Sequence, residues 1–170
     1  MHREVLDWLA AQFLALPDDL RVFEVGGKAI NGSARQAPRA GQVRAWWACD
    51  LVSGPGVDFV GAGEDAVPPW PADVAVCCEV LEHTPAVAAI VANLARQVRP
   101  GGRVLLTMAT DPRGAHSAVD GGPLRHGEHY ANVRPADLRA DCEAAGLVAV
   151  DLAVHLGRGD LYASATRPEL

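Results

Sequence analysis

The sequence predicts a three-layer, Rossmann-like α/β fold with a seven-stranded, mostly parallel sheet and an antiparallel hairpin at its C-terminal end. Short apolar runs rich in β-branched residues alternate with segments of helical periodicity along most of the chain. Val74-Ala75-Val76-Cys77-Cys78 is apolar without alternation, as a strand buried on both faces requires. Two strand-like runs at 148–155 and 161–166 are joined by a tight Gly157-Arg158-Gly159 turn, which suits an antiparallel pair and is too short for a crossover.

Leu6, Leu9, Phe13 and Leu16 recur at helical spacing until Pro17-Asp18-Asp19 ends the pattern, so a helix opens the chain. Residues 21–25 form the first strand, which runs into Gly26-Gly27. The residues 33–42 have room for a short helix only, broken or kinked near Pro38. Strand two covers 43–49 and ends at Asp50; strand three covers 57–60 and ends at Gly61-Ala62-Gly63. Strand four covers 74–78. Thr84-Pro85 starts the next helix, with proline at its first position, and Val87, Ile90, Val91, Leu94 and Val98 form its apolar stripe. Pro100-Gly101-Gly102 closes that helix and turns into strand five, 104–108. Residues 109–134 form a long Gly-, Pro- and His-bearing loop, a kind of segment that is uncommon in compact domains and usually functional. A helix over 135–145, closed by Gly146, leads to the final hairpin.

A chain of 170 residues with 49% hydrophobic and 21% charged residues reads as one globular domain, 1–170. Its net charge of −6 offers no general attraction to nucleic acid or an anionic membrane. Arg35, Arg39 and Arg44 form a local basic run that reads as a solvated face. No apolar stretch approaches the roughly 18 residues of a membrane span, and no signal-type start is present, so a cytoplasmic protein is expected. Cys49, Cys77, Cys78 and Cys142 have no CxxC spacing and read as reduced core thiols. No His/Cys pair sits at a ligand spacing, so no metal site is expected.

Right-handed crossovers bring the carboxyl ends of the first four strands to one rim, where Glu24, Asp50, Gly61 to Gly63 and Glu79 converge. Glu24 stands out, because a carboxylate near the end of an apolar strand is costly to bury unless something donates to it. A phosphate-cradling GxxxxGK loop fails, since Gly27 to Gly32 has the spacing but Ser33 stands where the lysine belongs. A dinucleotide GxGxxG fingerprint fails as well, with Lys28 and Asn31 at its second and third glycines.

Glu24-Val25-Gly26-Gly27, then Cys78-Glu79-Val80-Leu81-Glu82-His83, then Arg99-Pro100-Gly101-Gly102 resemble the first glycine motif, the strand-four "EVLEH" segment and the "RPGG" turn of class I S-adenosylmethionine-dependent methyltransferases. The resemblance runs from Arg21 to Thr166. It implies S-adenosyl-L-methionine as cofactor, S-adenosyl-L-homocysteine as product, and methyl transfer to an acceptor it does not specify. Glu24 with the Gly26-Gly27 backbone would border the methionine part, Asp50 would grip the ribose diol, and Leu51 would pack on adenine. Ala62-Gly63 would edge the adenine, and Cys78-Glu79 would lie beneath the sulfonium. The sequence departs from the family pattern at Ala62, where an acidic residue often stands, and at Lys28.

The loop would supply the acceptor side, with His116, His129 and Tyr130 as the candidate catalytic residues, histidine having suitable basicity near neutral pH. Each candidate also has a structural reading. Asp50 can cap the next turn, Glu82 and His83 can start the following helix, and Trp46 and Trp47 alternate faces on a strand, so at least one belongs to the core. Trp70, in a proline-rich turn, reads as loop packing. Without a cap domain, the pocket is either open to a large acceptor or completed by a second subunit in a homodimer. The rival functions are a non-catalytic methyltransferase-like scaffold and an NAD(P)-dependent oxidoreductase, the latter opposed by the missing GxGxxG.

Overall fold

The computed structural model describes residues 2–30 and 32–169. Among these residues the strands are β1 (Leu20–Val25), β2 (Val43–Asp50), β3 (Phe59–Val60), β4 (Ala72–Cys78), β5 (Val98–Ala109), β6 (Val148–His155) and β7 (Asp160–Thr166). The helices are α1 (Arg3–Leu14), α2 (Val87–Gln97) and α3 (Pro135–Ala144). One seven-stranded sheet runs in the order β3-β2-β1-β4-β5-β7-β6. Its neighbours are parallel from β3 to β5, and β7 is antiparallel to both β5 and β6. The direction of winding reverses between β1 and β4, the place where ligands of open α/β sheets bind.

Strand alternation sorts the core into two layers. Val22, Val74, Val76, Leu105 and Tyr162 face α1, which buries Val5, Leu9 and Phe13 against them. Phe23, Ala75, Cys77, Val104 and Leu106 face the other way, onto Ile90, Val91 and Leu94 of α2 and Leu138 and Cys142 of α3. Trp46 joins the α1 layer and Trp47 the opposite one, so the adjacent tryptophans do divide between faces. Trp70 packs against the α2 side and lies under the Arg21 guanidinium, 5.9 Å from ring centroid to Cζ. All four cysteines are buried free thiols. Arg35, Arg39 and Arg44 pair with Asp58, Asp18 and Asp19, which neutralises the basic run. Among the described residues no helix is long and apolar enough to cross a membrane.

Several boundaries differ from the sequence expectation, each for a local reason. The 33–42 segment holds a single 3-10 turn, Ala34–Gln36, in which Ser33 and Gln36 form a reciprocal capping box. β3 shrinks to two residues because the Asp58 carboxylate accepts the Ala48 amide at 2.9 Å, taking a donor that a longer ladder would use. α2 begins at Val87 rather than at Pro85, since Thr84 Oγ1 accepts from the Ala86 amide at 3.0 Å and holds a separate turn ahead of it. The Pro100-Gly101-Gly102 turn is absorbed into β5, whose first residue, Val98, already pairs with Ala72. Gly101 takes φ +74°, and a Cβ on Gly102 would lie 2.8 Å from the Asp73 carbonyl oxygen, so the chain bends there only because side chains are absent.

Candidate active site

β1 and its two neighbours build the rim. Glu24 is in register with Ala48 of β2 and Val76 of β4. Asp50 and Cys78 lie two residues further along those strands, so alternation puts all three on the α1 face at the carboxyl end. The Glu24 side chain is nearly sealed, at 3% exposure, and accepts the Trp46 indole N–H at 2.7 Å. Burial pushes its carboxyl up to about 7, and the Trp46 hydrogen bond offsets only part of that shift. A Cβ on Gly27 would stand 3.4 Å from Glu24 Oε2 and 2.4 Å from the Ala48 methyl, so the carboxylate lies against bare backbone. Gly26, at φ +83°, admits the Val80 side chain, which a Cβ would strike at 2.2 Å.

The amides of this turn are already engaged. Those of Gly26 and Gly27 donate to the Cys49 carbonyl at 2.9 and 3.0 Å, and that of Ala29 donates to Pro55 at 3.0 Å. Lys28 N donates to Asp50 Oδ2 at 3.1 Å and Val52 N to Asp50 Oδ1 at 3.0 Å. Asp50 therefore does cap local turns, and the two bonds also aim its carboxylate, leaving lone pairs on both oxygens. Asn31, in the same turn, lies outside the described residues. Leu51 is exposed beside Asp50. Ala62 is half-buried, whereas Gly63 is buried, its carbonyl accepting from Asn93 Nδ2 at 2.8 Å and its missing side chain making room for Val25.

Past β4, Glu79 takes φ +58°, a strained position for a residue with a side chain. Its amide donates to the Thr107 carbonyl at 2.8 Å, its Oε1 accepts from Thr107 Oγ1 at 3.0 Å, and Arg113 stands 3.7 Å away. Leu81–His83 then forms a 3-10 turn. Residues 110–134, all described, carry no helix or strand and fold back over this turn, tied by Ala131 N to the Glu82 carbonyl (2.8 Å) and Val133 N to the Ala109 carbonyl (3.0 Å).

That fold-back gathers His83, His116 and Tyr130 into an edge-to-face cluster with ring centroids 4.9 to 5.5 Å apart. His129 is exposed and outside the ring cluster, because the loop turns its neighbour Tyr130 inward instead. The Tyr130 hydroxyl donates to Asn132 Oδ1 at 2.9 Å, and burial pushes it up to about 12. Burial, with His116 nearby, pulls His83 down to about 4. Glu82 does not start a helix: it is wholly buried, with Oε1 accepting the Ala109 amide at 3.1 Å. Burial and then Glu79 push its carboxyl up to about 8. Glu82 and His83 thus form a separate turn ahead of α2 rather than its start, and an acid–histidine pair directly after a buried strand was the available signal.

A doubly wound sheet with carboxylates at the ends of adjacent central strands defines the ligand crevice of Rossmann-like α/β proteins. The family model described as "Methyltransferase domain" matches residues 1–152, and the chain belongs to this methyltransferase-domain family, of the class I type. It is 37% identical over 92 residues to the ubiquinone biosynthesis O-methyltransferase of Aeromonas salmonicida, covering 49% of this chain and 39% of that relative. It is 38% identical over 111 residues to the protein of the same name from Thiobacillus denitrificans, covering 59% and 48%. The chain thus spans half or less of the length of these curated relatives. Among solved structures it resembles an S-adenosylmethionine-dependent methyltransferase from Mesorhizobium loti, with a TM-score of 0.68, 18% identity and coverage of 95% and 98%. It also resembles Haemonchus contortus phosphoethanolamine N-methyltransferase 2, with a TM-score of 0.73, 13% identity and coverage of 98% and 53%. At these identities both likenesses concern the fold.

Proposed function

We propose that this protein transfers a methyl group from S-adenosyl-L-methionine to a hydroxyl acceptor, leaving S-adenosyl-L-homocysteine. One observation carries the reading: Glu24, Asp50 and Cys78 share one face and one end of the sheet, at the point where its winding reverses. The fit to the cofactor rests on charge. Glu24 is a buried carboxyl with no ion-pair partner in contact among the described residues, Arg35 being engaged by Asp58, and a ligand ammonium would supply one. Asp50, held by two amides, presents a two-oxygen acceptor suited to vicinal hydroxyls. Gly26, Gly27, Leu51, Ala62, Gly63 and Glu79 would border the remainder. When bound, the cofactor supplies an electrophilic methyl carbon on a sulfonium.

The chain's own contribution is chiefly positioning, which accounts for much of the acceleration in such displacements. His83, His116 and Tyr130 line the acceptor end, where the hydroxyl proton leaves as the new carbon–oxygen bond forms. The named O-methyltransferase relatives support oxygen as the acceptor atom. Calorimetry with S-adenosylhomocysteine, followed by methyl transfer to a panel of simple phenols and catechols, tests both halves. Absence of binding at millimolar ligand would reject the reading. That outcome favours the non-catalytic scaffold, for which the engagement of the Gly26 and Gly27 amides by Cys49 is the specific support.

A further inference from the structure

We propose that Glu82, His83 and His116 form a binding site for a divalent transition-metal ion such as Zn²⁺ or Co²⁺, at the acceptor end of the rim. One ligand atom from each, a carboxylate oxygen and two imidazole nitrogens, all lie within 4.8 Å of one another. Two orphaned atoms point independently to a missing partner. Glu82 Oε2 and His83 Nδ1 are both buried without a hydrogen bond, although Glu82 is wholly enclosed and its other oxygen is satisfied by the Ala109 amide. A buried polar atom left unpaired costs about 1–3 kcal/mol, so two side by side in one cluster call for a ligand.

The donor set is chemically coherent. Two imidazoles and one carboxylate, with a fourth position open, is a ligand set of catalytic zinc sites, and it suits borderline ions better than Mg²⁺ or Ca²⁺. A supporting contact is also present. His116 Nδ1 lies 3.1 Å from the Gly114 carbonyl, so a proton on Nδ1 would be held there and Nε2 left free to ligate. An ion with donors at about 2.0–2.1 Å needs them roughly 3.4 Å apart, so binding draws His116 and its loop toward the fixed Glu82-His83 turn. Sequence spacing pointed away from any metal, because the third ligand comes from a distant loop.

The test uses the full chain stripped with chelator and then titrated with Co²⁺, following the visible d–d absorption, with Zn²⁺ competition and mass-spectrometric metal content. One ion per chain is expected, with affinity lowered at least about tenfold in His116→Ala and in Glu82→Gln, and unchanged in the exposed-loop control His126→Ala. His116 sits on the loop, so its variant keeps the core even where Glu82→Gln unfolds. Equal affinity in wild type and His116→Ala would overturn the site, as would loss in His126→Ala alone. S-adenosylhomocysteine calorimetry on the same stripped protein separates the two proposals. Cofactor binding without the metal site rejects only this inference, and a metal site without cofactor binding rejects only the methyl-transfer reading.

Discussion

Replacing Glu24 by glutamine should stabilise the ligand-free protein while weakening its proposed cofactor. Burial raises the Glu24 carboxyl from 4.5 to about 7, so the folded state holds its proton more tightly than the unfolded chain does. Such a group contributes stability that is fully present below its unfolded pKa and is lost as pH rises through the folded one. Relative to a neutral side chain, ionised Glu24 therefore costs on the order of 3 kcal/mol at pH 8 and less than about 1 kcal/mol at pH 5. Glutamine keeps the acceptor for the Trp46 indole and removes the charge. Urea unfolding of Glu24→Gln should thus show a gain of about 3 kcal/mol at pH 8, roughly 6–12 °C in Tm for a domain of this size, and a gain of under about 1 kcal/mol at pH 5. S-adenosylhomocysteine affinity should fall in the same variant, the stability–function exchange typical of binding sites. A gain independent of pH, or no gain at pH 8, would refute the placement of Glu24 as a buried acid awaiting a cation.

Four other outcomes follow from particular contacts. Gly26→Ala combines an unfavourable φ of +83° with a collision against Val80, so urea unfolding should show a loss of about 2–4 kcal/mol, partly recovered when Val80→Ala is added. Asp50→Asn can accept from only one of the Lys28 and Val52 amides, which should cost about 1 kcal/mol of stability and, by calorimetry, weaken S-adenosylhomocysteine at least about tenfold. Gly159→Ala places a methyl 2.5 Å from the Arg113 amide nitrogen and 2.7 Å from the Thr110 carbonyl oxygen at φ +70°. It should release the start of the 110–134 loop and speed limited proteolysis there several-fold, roughly the effect of 1–2 kcal/mol of local opening. Tyr130→Phe removes the hydroxyl that holds Asn132, so hydrogen exchange at 128–133 should accelerate while cofactor affinity stays unchanged.

Glu24 and Asp50 could be placed together from sequence because both end strands of one parallel sheet, and strand polarity alone decides which end a residue occupies. The seven strands and the hairpin were legible for a similar reason: apolar periodicity and glycine turns are local signals. What periodicity did not carry was competition for hydrogen bonds. Asp58 shortened β3 and Thr84 delayed α2 through side-chain contacts to backbone that no propensity describes. The amides of Gly26 and Gly27 looked available for a ligand, and the structure gives them to the Cys49 carbonyl on the neighbouring strand.

By itself the sequence determined the layers and the acidic rim, since each follows from residue type and spacing along single elements, whereas the order in which the strands wind came from the structure. Tertiary structure alone decided the burial of Glu82, the inward turn of Tyr130 and the meeting of His83 with His116, which lie 33 positions apart in the chain. The physical reason is that a loop without internal periodicity has its course set by what it closes upon. Here that is the buried carboxylate turn after β4, whose Glu82 carbonyl takes the Ala131 amide and seals the site.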